Sequence, residues 1–154
     1  MSADVHGGLA ADPMPAPRAR TEAGPDLIVS GNAFADGGRH RGWFVGHFVR
    51  GPDPRLTGDV EVKVSAHRQG EARAKPVVNR TASTLVLLIR GRVRLRFPMR
   101  DVVLCREGDY VLWSPGVPHT WVVEAESRVI SVRWPSRPAD QVTSSERAVG
   151  KDRA

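Results

Sequence analysis

The stretch of sequence that decides the fold is residues 108–121, GDYVLWSPGVPHTW. It begins with a tight turn, because Gly108 tolerates a positive φ and Asp109 can bond to its own backbone. The aromatic and β-branched run at 110–113 predicts a strand. The Pro-Gly-Val-Pro sequence at 115–118 ends that strand and turns the chain.

The same stretch then delivers one histidine to a defined place. A strand beginning at residue 119 puts His119, Trp121 and Val123 on one face, because alternate side chains of a strand point to the same side. A neutral imidazole near pH 7 suits hydrogen bonding or proton transfer, so we expect His119 to line a pocket, with a catalytic role as the alternative. Trp121 offers a flat wall for a ligand, and ordinary core packing is the alternative.

Composition limits the class of protein. The 154 residues suggest one domain, and the small and polar residues of 1–26 and 136–154 predict disordered tails around a folded domain at 27–135. The single cysteine excludes an intrachain disulfide and fits a cytoplasmic location. No apolar run approaches the ~20 residues of a membrane helix, so no membrane partner is expected. The net charge of +6 comes without a nucleic-acid motif, and nucleic-acid binding is not expected.

Short apolar runs separated by turn residues predict an all-β domain. The predicted strands lie near residues 43–49, 59–67, 83–90, 92–97, 102–106, 110–114, 119–124 and 128–134. Hairpin connections are predicted at 90–91, 107–109 and 124–127. Helices should be short or absent, because no segment keeps a 3.6-residue apolar period. Eight such strands favour a closed barrel or a double-sheet jelly roll, which removes exposed edges.

The order Gly, Asp, Pro, Gly, His within residues 108–119 resembles the second sequence motif of the cupin superfamily. The resemblance covers roughly residues 58–134 and is strongest to small stand-alone bacterial cupins of uncharacterised activity. It implies a single cupin-type β-barrel, a homodimer, and a histidine, here His119, that points into the barrel and in most cupins binds a metal.

The resemblance also implies an earlier metal-binding motif, which this sequence lacks. That motif has two histidines one residue apart, then a glutamate, then a glycine. Gly91 matches the glycine, but Thr84 stands at the glutamate position, and the two histidine positions fall on Val77 and Asn79. Because a first-row metal needs three or four donors, the standard cupin metal site is predicted to be absent.

A divalent metal at a non-standard site is the alternative. His119, His67 and Glu71 would form a set of two histidines and one carboxylate, the ligand type of non-haem iron enzymes. The alternation within 59–67 leaves the direction of His67 open, because Lys63 and His67 share the polar face of that strand. An apolar core would turn this face to solvent, whereas a polar barrel interior would turn it to the pocket.

The function predicted from these residues is the binding of a small molecule in the barrel. Arg73 is added as a group that could clamp a carboxylate, and His47 as a histidine of the first strand. The complete set of predicted ligand-binding residues is His119, Trp121, His67, Glu71, Arg73 and His47. The alternative function is an enzyme of specialised metabolism, an isomerase, cyclase or metal-dependent oxygenase, that uses His119 with a rearranged site at His67 and Glu71.

Two further features carry weaker predictions. Arginines alternate with other residues at 90, 92, 94 and 96, which predicts a solvated outer face, with an acidic partner or a subunit interface as the alternative. Cys105 follows an apolar run and is expected to be buried rather than nucleophilic.

Overall fold

The computed structural model describes residues 28–144, and these form an all-β domain. Its helical part is one short helix, α1 (Ala33–Asp36), and a 3₁₀ turn at Gly38–His40, so the prediction of short helices is confirmed. The strands are β1 (Trp43–Val45), β2 (Glu61–His67), β3 (Ala72–Asn79), β4 (Ser83–Arg96), β5 (Asp101–Leu104), β6 (Tyr110–Trp113), β7 (His119–Trp134) and β8 (Gln141–Thr143). Within these residues no helix is long and apolar enough to cross a membrane.

The sheet is organised around β7, which has 16 residues. This strand pairs antiparallel with β2, β3 and β4. β4 also pairs with β5 and β6, while β1 adds to β2 and β8 adds to β3. The result is a single eight-stranded sheet that curls around an interior. The predicted all-β barrel fold is therefore confirmed.

Two predicted hairpins are absent, because β4 runs through 90–91 and β7 runs through 124–127. Gly91 has a φ of +97° and lies so close to β7 that a Cβ would sit 2.2 Å from the carbonyl oxygen of Glu126. The register of the two strands shifts here, which marks a β-bulge. The Ser127 hydroxyl bonds to the backbone of both strands at this point.

The bulge at Gly91 changes which face of β4 points inward. Before it, the even-numbered Thr84 and Val86 line the interior, and after it the odd-numbered Val93 and Leu95 do so. One long strand therefore covers the interior along its whole length. The buried apolar core comprises Leu88, Val93, Leu95, Leu104, Val111, Trp113 and Val129.

The alternating arginines of β4 lie on the outer face, opposite outward carboxylates of β7. Arg90 contacts Glu126 at 2.8 Å. Arg92 and Arg94 both contact Glu124 at 2.6 Å. The fourth arginine is exposed. Three of the four arginines are thus paired with carboxylates of the same domain.

The sequence prediction missed β3 and β8. β3 contains four basic or small residues and then a proline before its apolar end, which obscures the alternation expected of a strand. β8 pairs with β3 and lies beyond the predicted domain boundary at 135. Ser136 is already buried. The predicted leader at 1–26, and residues 145–154 of the predicted tail, lie outside the described residues.

The turn between β5 and β6 is the one predicted at 107–109. Gly108 has a φ of +86°. The Asp109 carboxylate accepts hydrogen bonds from the backbone N–H groups of Cys105 and Arg106, at 3.0 and 2.9 Å. Cys105 itself is exposed, so the prediction of a buried thiol is wrong. It directly follows β5, where the chain has already left the sheet.

Candidate functional site

The curled sheet encloses a cavity of about 100 Å³. Three tryptophans, Trp43, Trp113 and Trp121, contribute to its wall. A second cleft of about 470 Å³ shares several wall residues with this cavity, including Trp43. The two spaces therefore adjoin.

His119 begins β7 directly after the turn at 115–118, and its side chain lines the cavity while only 5% exposed. The ring lies against Trp113, with ring centroids 4.6 Å apart. Nδ1 lies 3.2 Å from the carbonyl oxygen of Val117. Because a carbonyl oxygen only accepts, Nδ1 carries the proton and Nε2 keeps its lone pair. Burial lowers the pKa of His119 to about 4, so the imidazole is neutral at pH 7.

Trp121, His67 and Arg73 also line the cavity. The centroids of the His67 and Trp121 rings lie 4.9 Å apart. Arg73 lies over the Trp121 ring at 5.9 Å, because the pairing of β3 with β7 places Arg73 opposite Trp121. Glu71 stands at the exposed turn between β2 and β3. Its carboxylate accepts hydrogen bonds from the Arg68 N–H and from Nδ1 of His67, and these bonds lower its pKa.

The polar face of β2 is the face that points into the barrel. Lys63, Ser65 and His67 all line the cavity. Glu61, on the same face, is 7% exposed. The question that the sequence left open is thus answered in favour of a polar interior, and His67 reaches the pocket.

The cavity wall carries three basic side chains, Lys63, Arg73 and Arg133. Arg133 lies opposite Glu61 across β2 and β7 and contacts its carboxylate at 3.1 Å. Burial lowers the pKa of each of the three cations, and the neighbouring Arg133 charge lowers the pKa of Lys63 and Arg73 further. Arginine keeps its charge even so, because its pKa starts so high.

Two hydrogen-bond donors in this wall have no partner. Nε1 of Trp113 and Nε of Arg133 are both buried without an acceptor in the described structure. Trp113 as a whole is 7% exposed. A buried donor without a partner costs about 1–3 kcal/mol, so an acceptor that reached either of these donors would stabilise the protein.

Solved structures with a similar arrangement of strands share little sequence with this chain. A protein with a double-stranded β-helix domain from Klebsiella pneumoniae has a TM-score of 0.50 at 20% identity, over 56% of this chain and 76% of its own. The chain has a cupin fold. KdgF from Halomonas sp. has a TM-score of 0.48 at 20% identity, over 53% and 74% of the two chains. An RmlC-like cupin from Shewanella frigidimarina has a TM-score of 0.46 at 19% identity, over 52% and 69%.

No family model matches the chain, and no curated protein matches it either. At these identities the likeness to the solved structures concerns the fold alone.

Of the three positions that carry metal ligands in the cupin motif, two hold side chains here, Asn79 and Thr84, that bond to each other. Asn79 is buried, and its amide donates to the Thr84 hydroxyl at 2.5 Å. Gln141 of β8 donates to the Asn79 carbonyl oxygen at 3.1 Å. Val77 pairs with His119 across β3 and β7 and offers no donor atom. These side chains supply neither the number nor the kind of donors that a first-row metal needs.

The rearranged metal site is not assembled either. Across residues 28–144, no three histidine, cysteine, aspartate or glutamate side chains converge on a common point. Glu71 lies at an exposed turn and holds His67, whereas His119 is buried against Trp113. The described structure therefore does not bring His119, His67 and Glu71 together as one ligand set.

His47 lies outside the cavity of this cupin barrel, contrary to its assignment as a ligand-binding residue there. β1 ends at Val45, and the chain then bends away at a glycine with positive φ. His47 accordingly lines the neighbouring cleft, where Nδ1 lies 2.7 Å from the Ser136 hydroxyl and 3.8 Å from the Glu61 carboxylate.

The sequence prediction missed Ser131, Arg133 and Trp43 as wall residues of the cavity. A signal for the first two was present. Ser131 and Arg133 alternate with apolar residues at the end of β7, as Lys63 and Ser65 do in β2. Two strands with the same apolar and polar alternation indicate a barrel with a polar interior, once they are known to pair.

Proposed function

We propose that this protein binds a small molecule in the cavity of its barrel. The observation that carries the proposal is the indole Nε1 of the wall residue Trp113, which is buried and has no hydrogen-bond partner among the described residues. A ligand with an acceptor atom beside this donor would supply a hydrogen bond that the described protein groups do not. Trp121 and His119 add an aromatic wall and a neutral imidazole beside it.

The proposed ligand contacts Trp113 and four of the six residues expected from the sequence, namely His119, Trp121, His67 and Arg73. Glu71 acts indirectly, by holding the His67 ring through its 2.8 Å contact. A cytoplasmic location, a bacterial origin and a homodimer stay predictions.

The test is a fragment screen by NMR that follows the indole N–H signals, with and without a change at Trp113. Trp113→Phe keeps a ring in the wall and removes the donor. Tyr110→Phe is the matched control, because it removes a polar group from the same strand at a side chain that is 64% exposed. We expect fragments that move the Trp113 signal to bind about tenfold more weakly to Trp113→Phe, which corresponds to ~1.4 kcal/mol, and equally well to Tyr110→Phe.

A screen in which no fragment moves the signals of Trp113 or Trp121 would contradict the proposal. Equal binding to wild type and Trp113→Phe would show that the orphan donor has no role in it.

A second candidate function is a metal-free acid–base enzyme, and the protonation state of His119 favours it. An imidazole that is neutral at pH 7, with its proton fixed on Nδ1, presents Nε2 as a base. Turnover of a bound fragment that is lost in His119→Ala, while the thermal unfolding of the variant stays cooperative, would establish this function. Binding without turnover in the wild type would leave the protein a binding module.

A further inference from the structure

The three cations of the cavity wall face very little opposite charge. Within residues 28–144, Lys63 and Arg73 have no carboxylate at ion-pair distance, while Arg133 pairs with Glu61 and is also attracted by the more distant Asp140. The arginines of the outer face differ in this respect, because Arg92 and Arg94 are both paired with Glu124 of the neighbouring strand. The interior cluster therefore keeps an excess of positive charge.

Aromatic rings hold these cations in position without neutralising them. Arg133 lies 4.4 Å from the centroid of the Trp43 ring, and Nζ of Lys63 lies 5.8 Å from the same centroid. Arg73 lies 5.9 Å from the Trp121 centroid. Cation–π contacts of this kind orient a charged group, so the three cations are preorganised before any ligand binds.

The arrangement is costly unless an anion is present. Burial lowers the pKa of Lys63, Arg73 and Arg133, and repulsion by Arg133 lowers the pKa of Lys63 and Arg73 further. Nε of Arg133 is in addition buried without an acceptor. An anion would neutralise charge and accept this hydrogen bond, and Arg guanidinium groups bind carboxylate and phosphate oxygens especially well.

The volume of the cavity limits the size of the anion that can bind. A cavity of about 100 Å³ is smaller than the 300–1,000 Å³ typical of sites for drug-sized ligands. The neighbouring cleft shares Lys63, Arg73 and Arg133 with the cavity, so the cations stand where the two spaces adjoin. The cavity itself keeps apolar walls such as Leu95, together with His119, for the body of a molecule.

We infer that the ligand is a small organic acid, whose carboxylate or phosphate group binds to Lys63, Arg73 and Arg133 while its uncharged part fills the cavity. This inference rests on the proposed binding function and names the chemical class of its ligand. It also gives the interior position of Arg133 a purpose that core packing does not supply.

The test compares acids with neutral molecules of the same shape. Benzoate is paired with benzamide and isobutyrate with isobutyramide, and phenyl phosphate distinguishes phosphate from carboxylate. Binding is measured by calorimetry and by the indole N–H signals. The variants are Arg73→Gln and Lys63→Gln, and the matched control is Arg96→Gln, which removes the same charge from an exposed position on the outer face. Thermal unfolding establishes which variants fold.

We expect at least one acid to bind about tenfold more tightly than its amide, and to lose about tenfold in affinity in a folded interior variant but not in Arg96→Gln. The stronger of benzoate and phenyl phosphate identifies the acidic group. Amides or other neutral fragments that bind as well as the acids would overturn the inference and leave the binding function intact. Acid binding that falls equally in Arg96→Gln would also overturn it. No binding by acid, amide or screened fragment would overturn both.

Discussion

Lowering the pH from 7 to 4.5 should destabilise this protein through His119. In the folded protein, burial lowers the pKa of this imidazole to about 4, against a value of 6.5 in the unfolded chain. Between these two values the unfolded chain takes up a proton that the folded chain does not. Stability from His119 is therefore complete above pH 6.5 and is lost progressively as the pH falls toward 4.

The two pKa values fix the size of the effect. At pH 4.5 the unfolded state is almost fully protonated at this site, while the folded state is protonated in a minority of molecules. The difference amounts to about 2.5 kcal/mol of unfolding free energy, a large part of the 5–15 kcal/mol typical of a domain.

Urea unfolding of wild type and His119→Gln at both pH values measures this difference. Glutamine keeps a polar side chain at the site and does not titrate. Protonation of carboxylates whose pKa is lowered in the folded state, such as Asp109 and Glu124, also destabilises the protein in acid. This loss is the same in wild type and variant, so it cancels when the two are compared. We expect the wild type to lose about 2.5 kcal/mol more than the variant.

Nitrogen NMR of the imidazole gives the pKa and the tautomer directly. A His119 ring that titrates near 6.5, or equal acid losses in wild type and His119→Gln, would refute the burial argument. A proton found on Nε2 would refute the assignment of Nδ1 as the donor to Val117.

Three further predictions concern the sheet and its surface. Gly91→Ala should lower the unfolding free energy by about 3 kcal/mol in urea titration, because its Cβ would collide with the Glu126 carbonyl at a positive φ; a loss below about 0.5 kcal/mol would contradict the bulge. Asn79→Ala should cost about 2 kcal/mol, since it leaves the buried Thr84 hydroxyl without its amide partner. Unchanged stability there would mean that water or repacking replaces that bond. Cys105 should react with a thiol reagent in the native protein as fast as in urea, and reaction only after unfolding would show that it is buried.

The parts of the fold that follow from local chemistry could be predicted from the sequence. The turn at Gly108 and Asp109 depends on residues within the turn itself, and the face of β7 that carries His119 depends only on alternation. The bulge at Gly91 could not be predicted, because its cause is the close approach of Glu126 and Ser127 on another strand. A glycine between two apolar runs looks the same whether it ends a strand or bends it.

The candidate site shows the same division. His119, Trp121 and Arg73 were expected at the cavity, whereas Arg133 was not. The importance of Arg133 arises from its neighbours, since it meets Lys63 and the cavity only through the pairing of β2 with β7. His47 failed for the converse reason. The apolar run around it predicted a strand through His47, but β1 ends at Val45, two residues earlier.

The central position of β7 also determines when the domain can fold during synthesis. β4, β5 and β6 are close in sequence and can pair as soon as they have been translated. Until β7 is made, β2 can pair only with the three residues of β1. Its other partner strand is β7, in which Arg133, the partner of Glu61, lies 72 residues later in the sequence. Such long-range pairing is slow, and a nascent chain that ends before residue 119 leaves β2 and β3 unsatisfied. The last long strand to leave the ribosome is thus the one that both closes the barrel and completes the charge cluster inside it.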